Sequence, residues 1–251
     1  MQRYFIEEPY KGQEKISLSG DDFHHISRVM RMKKGDSFWT VFKGGETACV
    51  KIDSISDHHV EAAVIDLEDQ SNELPVRVAI ASGLPKGDKL EWIIQKGTEL
   101  GASQFVPFIA SRSIVKWEEK KAGKKLERWR KIAKEAAEQS HRQALPEVMS
   151  PLRMDELIRH SMSFDHKLAA YEEVAKSGEQ QSFFAKHLAA AKPGESIFIV
   201  FGPEGGLAVQ EAEQLESNGF ELCGLGPRIL RTETAPLYAL SAISYHFELK
   251  G

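Results

Sequence analysis

The chain reads as an α/β protein, a doubly wound domain carried behind a small N-terminal β domain. Three observations predict this. Up to about residue 72 the apolar residues fall in short strand-length runs, several of them alternating with polar ones. From Val76 onward the period changes, and strand-length runs alternate with helical stretches, the pattern of βαβ units laid on a parallel sheet. Two glycine-rich turns, Phe201-Gly-Pro-Glu-Gly-Gly-Leu207 and Leu225-Gly-Pro-Arg-Ile-Leu-Arg-Thr-Glu-Thr-Ala-Pro236, each follow a short apolar run and each lead into a helix.

Taken in order, residues 3–7, 15–19, 37–42, 47–55 and 60–67 have strand length and composition, and Lys43-Gly44-Gly45-Glu46 supplies a hairpin turn between the third and fourth. One helix, from 21 to about 32, interrupts them; Ser19 or Asp21 caps it and Gly35 follows its end. So many short strands in so short a stretch predict a small barrel. Residues 66–75 are polar and end in Pro75, a linker that divides the chain into domains 1–72 and 73–251. Beyond it, a strand at 76–81, a helix at 88–100 closed by Gly101 and a strand at 104–109 make one βαβ unit. A long amphipathic helix over 124–143 stops before Pro146. A short helix near 154–160, a strand at 167–171, a helix at 181–191 and a strand at 196–201 follow. A helix at 209–217, a strand at 221–223 and a final helix from Thr234 complete the chain.

The bulk numbers exclude several classes. With 251 residues, 41% hydrophobic and 28% charged, the chain is expected to be globular and soluble. The N-terminus carries no basic-then-apolar signal pattern and no stretch reaches membrane-span length. Cys49 and Cys223 are far apart and lack ligand spacing, so neither a disulfide framework nor a zinc site is expected, and the simple reading is a cytoplasmic protein without a metal. A net charge of −4 argues against a uniformly basic nucleic-acid binder. Yet residues 112–142 hold eleven Lys/Arg against five Glu, and Arg28, Arg31, Lys33 and Lys34 make a second cluster. A solvated helix face explains such runs, and so does a phosphate backbone.

The glycine-rich turns narrow the ligand. Residues 196–201, Ser-Ile-Phe-Ile-Val-Phe, suit a strand buried on both faces, after which Gly202, Gly205 and Gly206 let the backbone approach a ligand closely. A phosphate loop requires a Gly-Lys-Ser/Thr, and this turn has no lysine; it carries Glu204, which suits a cation or a hydroxyl donor. The Gly224-Leu-Gly226 of the second turn would place the third glycine of a dinucleotide fingerprint at Ile229, so that signature fails too. Tight strand-to-helix turns are the bland alternative, weakened because two occur about one βα unit apart.

At this point the motifs converge. "FGPEGGL" followed by "LGPRILRTETAPLYALSAISY" resembles the SPOUT class of methyltransferases, and within it the RsmE family. Arg3-Tyr-Phe, His24-His25 with Val29-Met-Arg31 and Gly35-Asp36, the stretch from Lys86 to Gly101, and Glu138-Gln-Ser-His-Arg142 resemble that family in the same order, over nearly the whole chain. The resemblance implies a SPOUT-type sheet with a C-terminal trefoil knot, a PUA-like N-terminal barrel that binds RNA, and a homodimer formed through the C-terminal domain. It implies S-adenosyl-L-methionine as cofactor and N3 of one uridine of 16S rRNA, in the small ribosomal subunit, as target. Where the family commonly has Ser or Thr after Gly-Gly-Leu, this chain has Ala208. The lost hydroxyl cap is worth on the order of 1 kcal/mol, partly offset by Glu211 and Glu213.

Carried onto these residues, the cofactor site takes Gly202, Pro203, Gly205, Gly206, Leu225, Gly226, Arg228, Ile229 and Leu230. Arg231 orients the base and stabilises charge on its O2 or O4, since an arginine does not act as a base. Glu233 accepts the proton, directly or through water, with Glu204 as the weaker choice. The alternatives are a favourable charge at a helix start for Glu233 and surface pairing with Glu233 for Arg228 and Arg231. For RNA the candidates are Arg3, His24, His25, Arg28, Arg31, Arg112, Gln139 and Arg142. Adjacent helical histidines diverge by about 100°, which makes His24-His25 a poor metal pair and points one inward and one outward. Trp92, Trp117 and Trp129 are expected in packing. The last helix carries Leu237, Tyr238, Leu240, Ile243, Tyr245 and Phe247 around much of its circumference, so it needs a second partner beyond the sheet. A catalytically silent RNA-binding or assembly protein is the competing class, and intact glycine loops argue against it. An unrelated nucleotide-dependent enzyme would want a lysine or metal carboxylates in those loops.

Overall fold

The computed structural model describes residues 1–113, 119–173 and 183–250, the side chains of 119–121 excepted. Lys116, Trp117, the side chains of Lys120 and Lys121, and the first two residues of the helix expected over 181–191 lie outside them. The chain forms two compact units, Met1–Glu73 with Ala137–Leu145, and Leu74–Ala136 with Pro146–Gly251.

In the first unit five strands, β1 (Arg3–Phe5), β2 (Lys15–Ser19), β3 (Ser37–Val41), β4 (Thr47–Ile55) and β5 (His59–Leu67), pair in the order β1-β3-β4-β5-β2. Only β1 and β3 run parallel; the other ladders are antiparallel. Alternation sends Ile16 and Leu18 of β2, Val50 and Ile52 of β4, and Val60 and Ala62 of β5 inward onto Tyr4, Phe38 and Phe42. The helix α1 (Gly20–His24) passes into a π-helical turn, His25–Val29, because Met30 N–H reaches back five residues to the His25 carbonyl. It therefore ends short of the expected Met32, and Arg31 closes it in the left-handed region at φ 53°.

The second unit is a six-stranded sheet in the order β11-β9-β10-β6-β7-β8, parallel throughout. Its elements are β6 (Arg77–Gly83), α2 (Lys89–Glu99), β7 (Gln104–Phe108), α3 (Glu119–Gln139), β8 (Glu147–Val148) and α4 (Met154–Ser161). Then come β9 (His166–Ala170), α5 (Phe183–Ala190), β10 (Ser196–Phe201), α6 (Val209–Ser217), β11 (Glu221–Cys223) and α7 (Thr234–Ser244), the last running into a π-helical turn, Tyr245–Leu249. Every residue of β10 is buried. Its Ile197, Ile199 and Phe201, with Val78 and Ile80 of β6, face one helical layer containing Ile93, Leu240 and Ile243. Phe198 and Val200, with Ala79 and Ala81, face the other, containing Leu157 and Leu215. Each Ile, Val, Leu or Phe among them contributes about 1.5–3 kcal/mol on burial, which explains the unbroken apolar runs.

Two features of the second unit also depart from the sequence reading. The edge strand β8 is two residues long, too short to leave a periodicity. The long helix stops at Gln139 rather than 143, because His141 takes φ 58° and Arg142 and Gln143 turn into buried hydrogen bonds with Glu73 and Glu68.

Candidate functional site

Because all six strands are parallel, the loops that follow them gather along one edge of the sheet. There, beyond the ends of β9, β10 and β11, lies a cavity of about 590 Å³. That size suits a nucleoside-like ligand, and a carboxyl edge is where open α/β sheets bind one. Every residue assigned to the cofactor from the sequence lines it, from Gly202 and Pro203 through Gly226 to Leu230, and Glu204 and Arg231 with them, whereas Glu233 is not part of its wall. The walls come close to one another. A methyl group on Gly202 would lie 2.6 Å from the backbone of Gly206, and one on Gly83 would lie 2.6 Å from Pro203. Gly206 and Gly226 take φ of 68° and 93°, conformations that side-chain-bearing residues rarely adopt.

The electrostatics turn on a residue the sequence reading did not single out. Lys89, at the start of α2, places its ammonium 2.8 Å from Glu204 and 3.6 Å from Glu233, and lines the cavity. The Lys86 N–H also donates to Glu204, at 3.1 Å. Burial alone would raise the Glu204 carboxyl, but the Lys89 ammonium and these backbone donors hold it below the usual carboxylate range. A depressed carboxyl stabilises the fold above its ordinary value of about 4.3 and loses that contribution as pH falls through the lower folded one. The loop clasp is therefore expected to hold through the ordinary carboxylate range and to open only as pH falls below it. The check is the protection factor of the Lys86 amide by hydrogen exchange across that range. Glu233 has one buried oxygen without a hydrogen-bond partner, and its ionic partner is Lys89, not Arg228 or Arg231. Among the described residues no side chain pairs with the Arg231 guanidinium, which is exposed into the cavity.

Arg112, an RNA candidate from the sequence, is exposed and braces the first glycine loop, its guanidinium donating to the carbonyls of Gly205 (2.8 Å) and Leu207 (3.3 Å). The departure at Ala208 is made good by Glu211, which accepts the Ala208 N–H at 2.8 Å and the Ser111 N–H at 2.7 Å. It supplies the reciprocal half of a capping box without needing a hydroxyl.

The RNA candidates of the first unit divide. His24, Arg28 and Arg31 are exposed around the end of α1, beside exposed Val29 and Met30, and Gln139 is exposed at the end of α3. His25 is half-buried, its Nδ1 bonded to the Tyr4 hydroxyl at 2.9 Å; burial pushes that hydroxyl's pKa up, with Glu138 and Asp22 adding to the effect. Arg3 and Arg142 are corrected: they are 1% and 3% exposed and pair with Glu68 and Glu73. Each guanidinium is enclosed and ion-paired within the first unit, with the Arg3 Nε left without a hydrogen-bond partner, and neither is exposed for a phosphate. Trp129 is buried as expected, whereas Trp92 is 55% exposed on α2 with Lys96 over its ring. Among the described residues there is no group of three or more His, Cys, Asp or Glu placed for a metal, and no helix long and apolar enough to cross a membrane.

The fold and site thus define a doubly wound α/β protein that holds a small ligand at the carboxyl edge of its sheet, joined to a small β unit. Residues 72–244 match the RNA methyltransferase domain and residues 18–65 the RNA methyltransferase PUA domain. The chain is 53% identical to the ribosomal RNA small subunit methyltransferase E of Bacillus subtilis, over 99% of its own length and 98% of that protein's. A crystal structure of a hypothetical protein, 50% identical, superposes over the whole of both chains with a TM-score of 0.92. The ribosomal RNA small subunit methyltransferase E of Neisseria gonorrhoeae, solved bound to S-adenosyl methionine, is 28% identical and covers 97% of each chain with a TM-score of 0.85. The chain belongs to the ribosomal RNA small subunit methyltransferase E family.

Proposed function

We propose that this protein uses S-adenosyl-L-methionine to methylate N3 of a specific uridine in the 16S rRNA of the small ribosomal subunit. The observation that carries the reading is the cavity between the two glycine-rich loops, in a chain whose relative from Neisseria gonorrhoeae is solved with that cofactor bound. The residues present suit it. The walls offer backbone groups and apolar side chains of Leu225, Ile229 and Leu230, with no phosphate-binding lysine in either loop, and glycines stand where a Cβ would meet backbone. When bound, S-adenosylmethionine supplies the methyl group as an electrophile on sulfur. The chain's own task is to place uracil N3 in line and to favour its deprotonated form. Arg231, exposed in the cavity, stabilises negative charge developing on O2 or O4. Glu233, two residues on, accepts the N3 proton directly or through water.

His24, Arg28, Arg31 and Gln139 bind RNA in this reading, through the PUA-like first unit. The second unit carries the cofactor, folded as a trefoil knot. It pairs with a second copy through the last helix, where Tyr238 and Tyr245 are exposed although the neighbouring Leu240 and Ile243 are buried. The place of work is the cytoplasm.

The test is transfer of labelled methyl from S-adenosylmethionine to purified small ribosomal subunits and to free 16S rRNA, with the product nucleoside identified by mass spectrometry. The expected product is 3-methyluridine, and Arg231→Ala lowers kcat by about 10²–10³, the cost of removing one charge-stabilising donor. Absence of transfer to either substrate, with no cofactor binding by calorimetry, would leave a silent RNA-binding fold.

A further inference from the structure

Two carboxylates from different parts of the chain share one nitrogen. Glu204 stands inside the first glycine loop and Glu233 at the start of α7, directly after the second, and their oxygens lie 2.8 and 3.6 Å from Lys89 Nζ. No other cation of the described residues is within ion-pair distance of either. The Glu233 oxygen concerned is buried and accepts no hydrogen bond, so it has no second partner to turn to. Lys89 itself is anchored. It begins α2, whose preceding segment is tied to the first loop by the Lys86 N–H and abuts it where Gly83 meets Pro203. Its side chain also lines the cavity between the loops.

We propose that Lys89 is a positioning residue that sets the spacing of the two cofactor loops by neutralising Glu204 and Glu233 together. Without its ammonium, two like charges stand side by side at the base of the two loops, one of them on a buried oxygen, and the loops separate. The cavity then widens at the edge where the ligand's backbone contacts are made. This rests on the cofactor site proposed above and adds to it the residue that holds the site's two halves in register.

The experiment measures S-adenosylmethionine binding by calorimetry, and the KM for cofactor and for 16S rRNA separately, in the wild type, Lys89→Ala, Lys89→Arg and Lys89→Ala/Glu204→Gln. Lys89→Ala is expected to weaken cofactor binding and raise cofactor KM about tenfold, leaving the KM for RNA unchanged. Lys89→Arg keeps the charge and stays within a few-fold of wild type. The double variant recovers most of the loss, because removing one carboxylate's charge removes the repulsion. Circular dichroism and thermal melting confirm folding, and Lys89→Arg reports even where the alanine variant does not fold. Wild-type affinity in Lys89→Ala would overturn the proposal. So would a double variant no better than the single one, since Lys89 would then be touching the ligand rather than spacing the loops. A wild type that binds no cofactor would overturn the proposed function itself.

Discussion

Gly202→Ala is expected to lose cofactor affinity by about a hundredfold or more, the scale of a misplacement of roughly 1 Å in a binding constellation. The new methyl would lie 2.6 Å from the Gly206 carbonyl carbon and 2.7 Å from the Leu207 nitrogen. Both are backbone atoms of the same tight loop, so no side chain can swing aside. Only the loop can move. Moving it breaks the Gly206 N–H to Pro203 carbonyl bond and shifts the carbonyls on which Arg112 rests. Gly123→Ala is the matched control, because nothing lies within 4 Å of that position. Calorimetric binding of S-adenosylmethionine to both variants is the measurement. Equal affinity in Gly202→Ala and wild type would mean that the loop re-forms around the methyl and is not what shapes the cavity.

Glu73→Ala is expected to destabilise the first unit by about 3–5 kcal/mol, the cost of removing one member of an ion pair whose other member is buried. Glu73 accepts from the Arg142 guanidinium and from the backbone N–H groups of Gln143 and Ala144, at 2.7 and 3.2 Å. With Glu68 and Asn72, it holds the returning segment Ala137–Leu145 within that unit. Its loss takes from Arg142, 3% exposed, the carboxylate that its Nε and Nη2 both meet. Arg142→Met is expected to cost less, about 1–3 kcal/mol, because Glu73 keeps its two amide donors and is itself 24% exposed to water. Urea unfolding followed by Trp39 fluorescence ranks the two variants. The reverse order would show that the arginine's packing, not its charge balance, carries the stability.

The sequence made most of the second unit legible because burial on both faces leaves a strong mark. Ser196–Phe201 is continuous and apolar, and it is the strand buried on both faces that it was read to be. The glycine loops were legible for a similar reason. Close approach of backbone to backbone excludes a side chain at Gly202, and φ above zero favours glycine at Gly206 and Gly226. The charged residues were not legible in this way. Arg3 and Arg142 were read as RNA contacts, yet they are buried against Glu68 and Glu73, and nothing in the sequence showed that Arg112 also braces a loop. A cation in a sequence carries no record of whether its partner is a phosphate or a carboxylate.

By itself, then, the sequence determined the α/β class, the order of nearly all the elements, the two ligand-facing turns and, through its motifs, the family. Periodicity, glycine and apolar runs are local properties, set by neighbours a few residues away, and so they survive in one dimension. Tertiary structure alone decided which charges meet. Lys89 and Glu204 are 115 residues apart, and Arg142 and Glu73 are 69 apart. Coulomb energy depends on distance and burial in space, and neither is encoded in the spacing of residues along the chain.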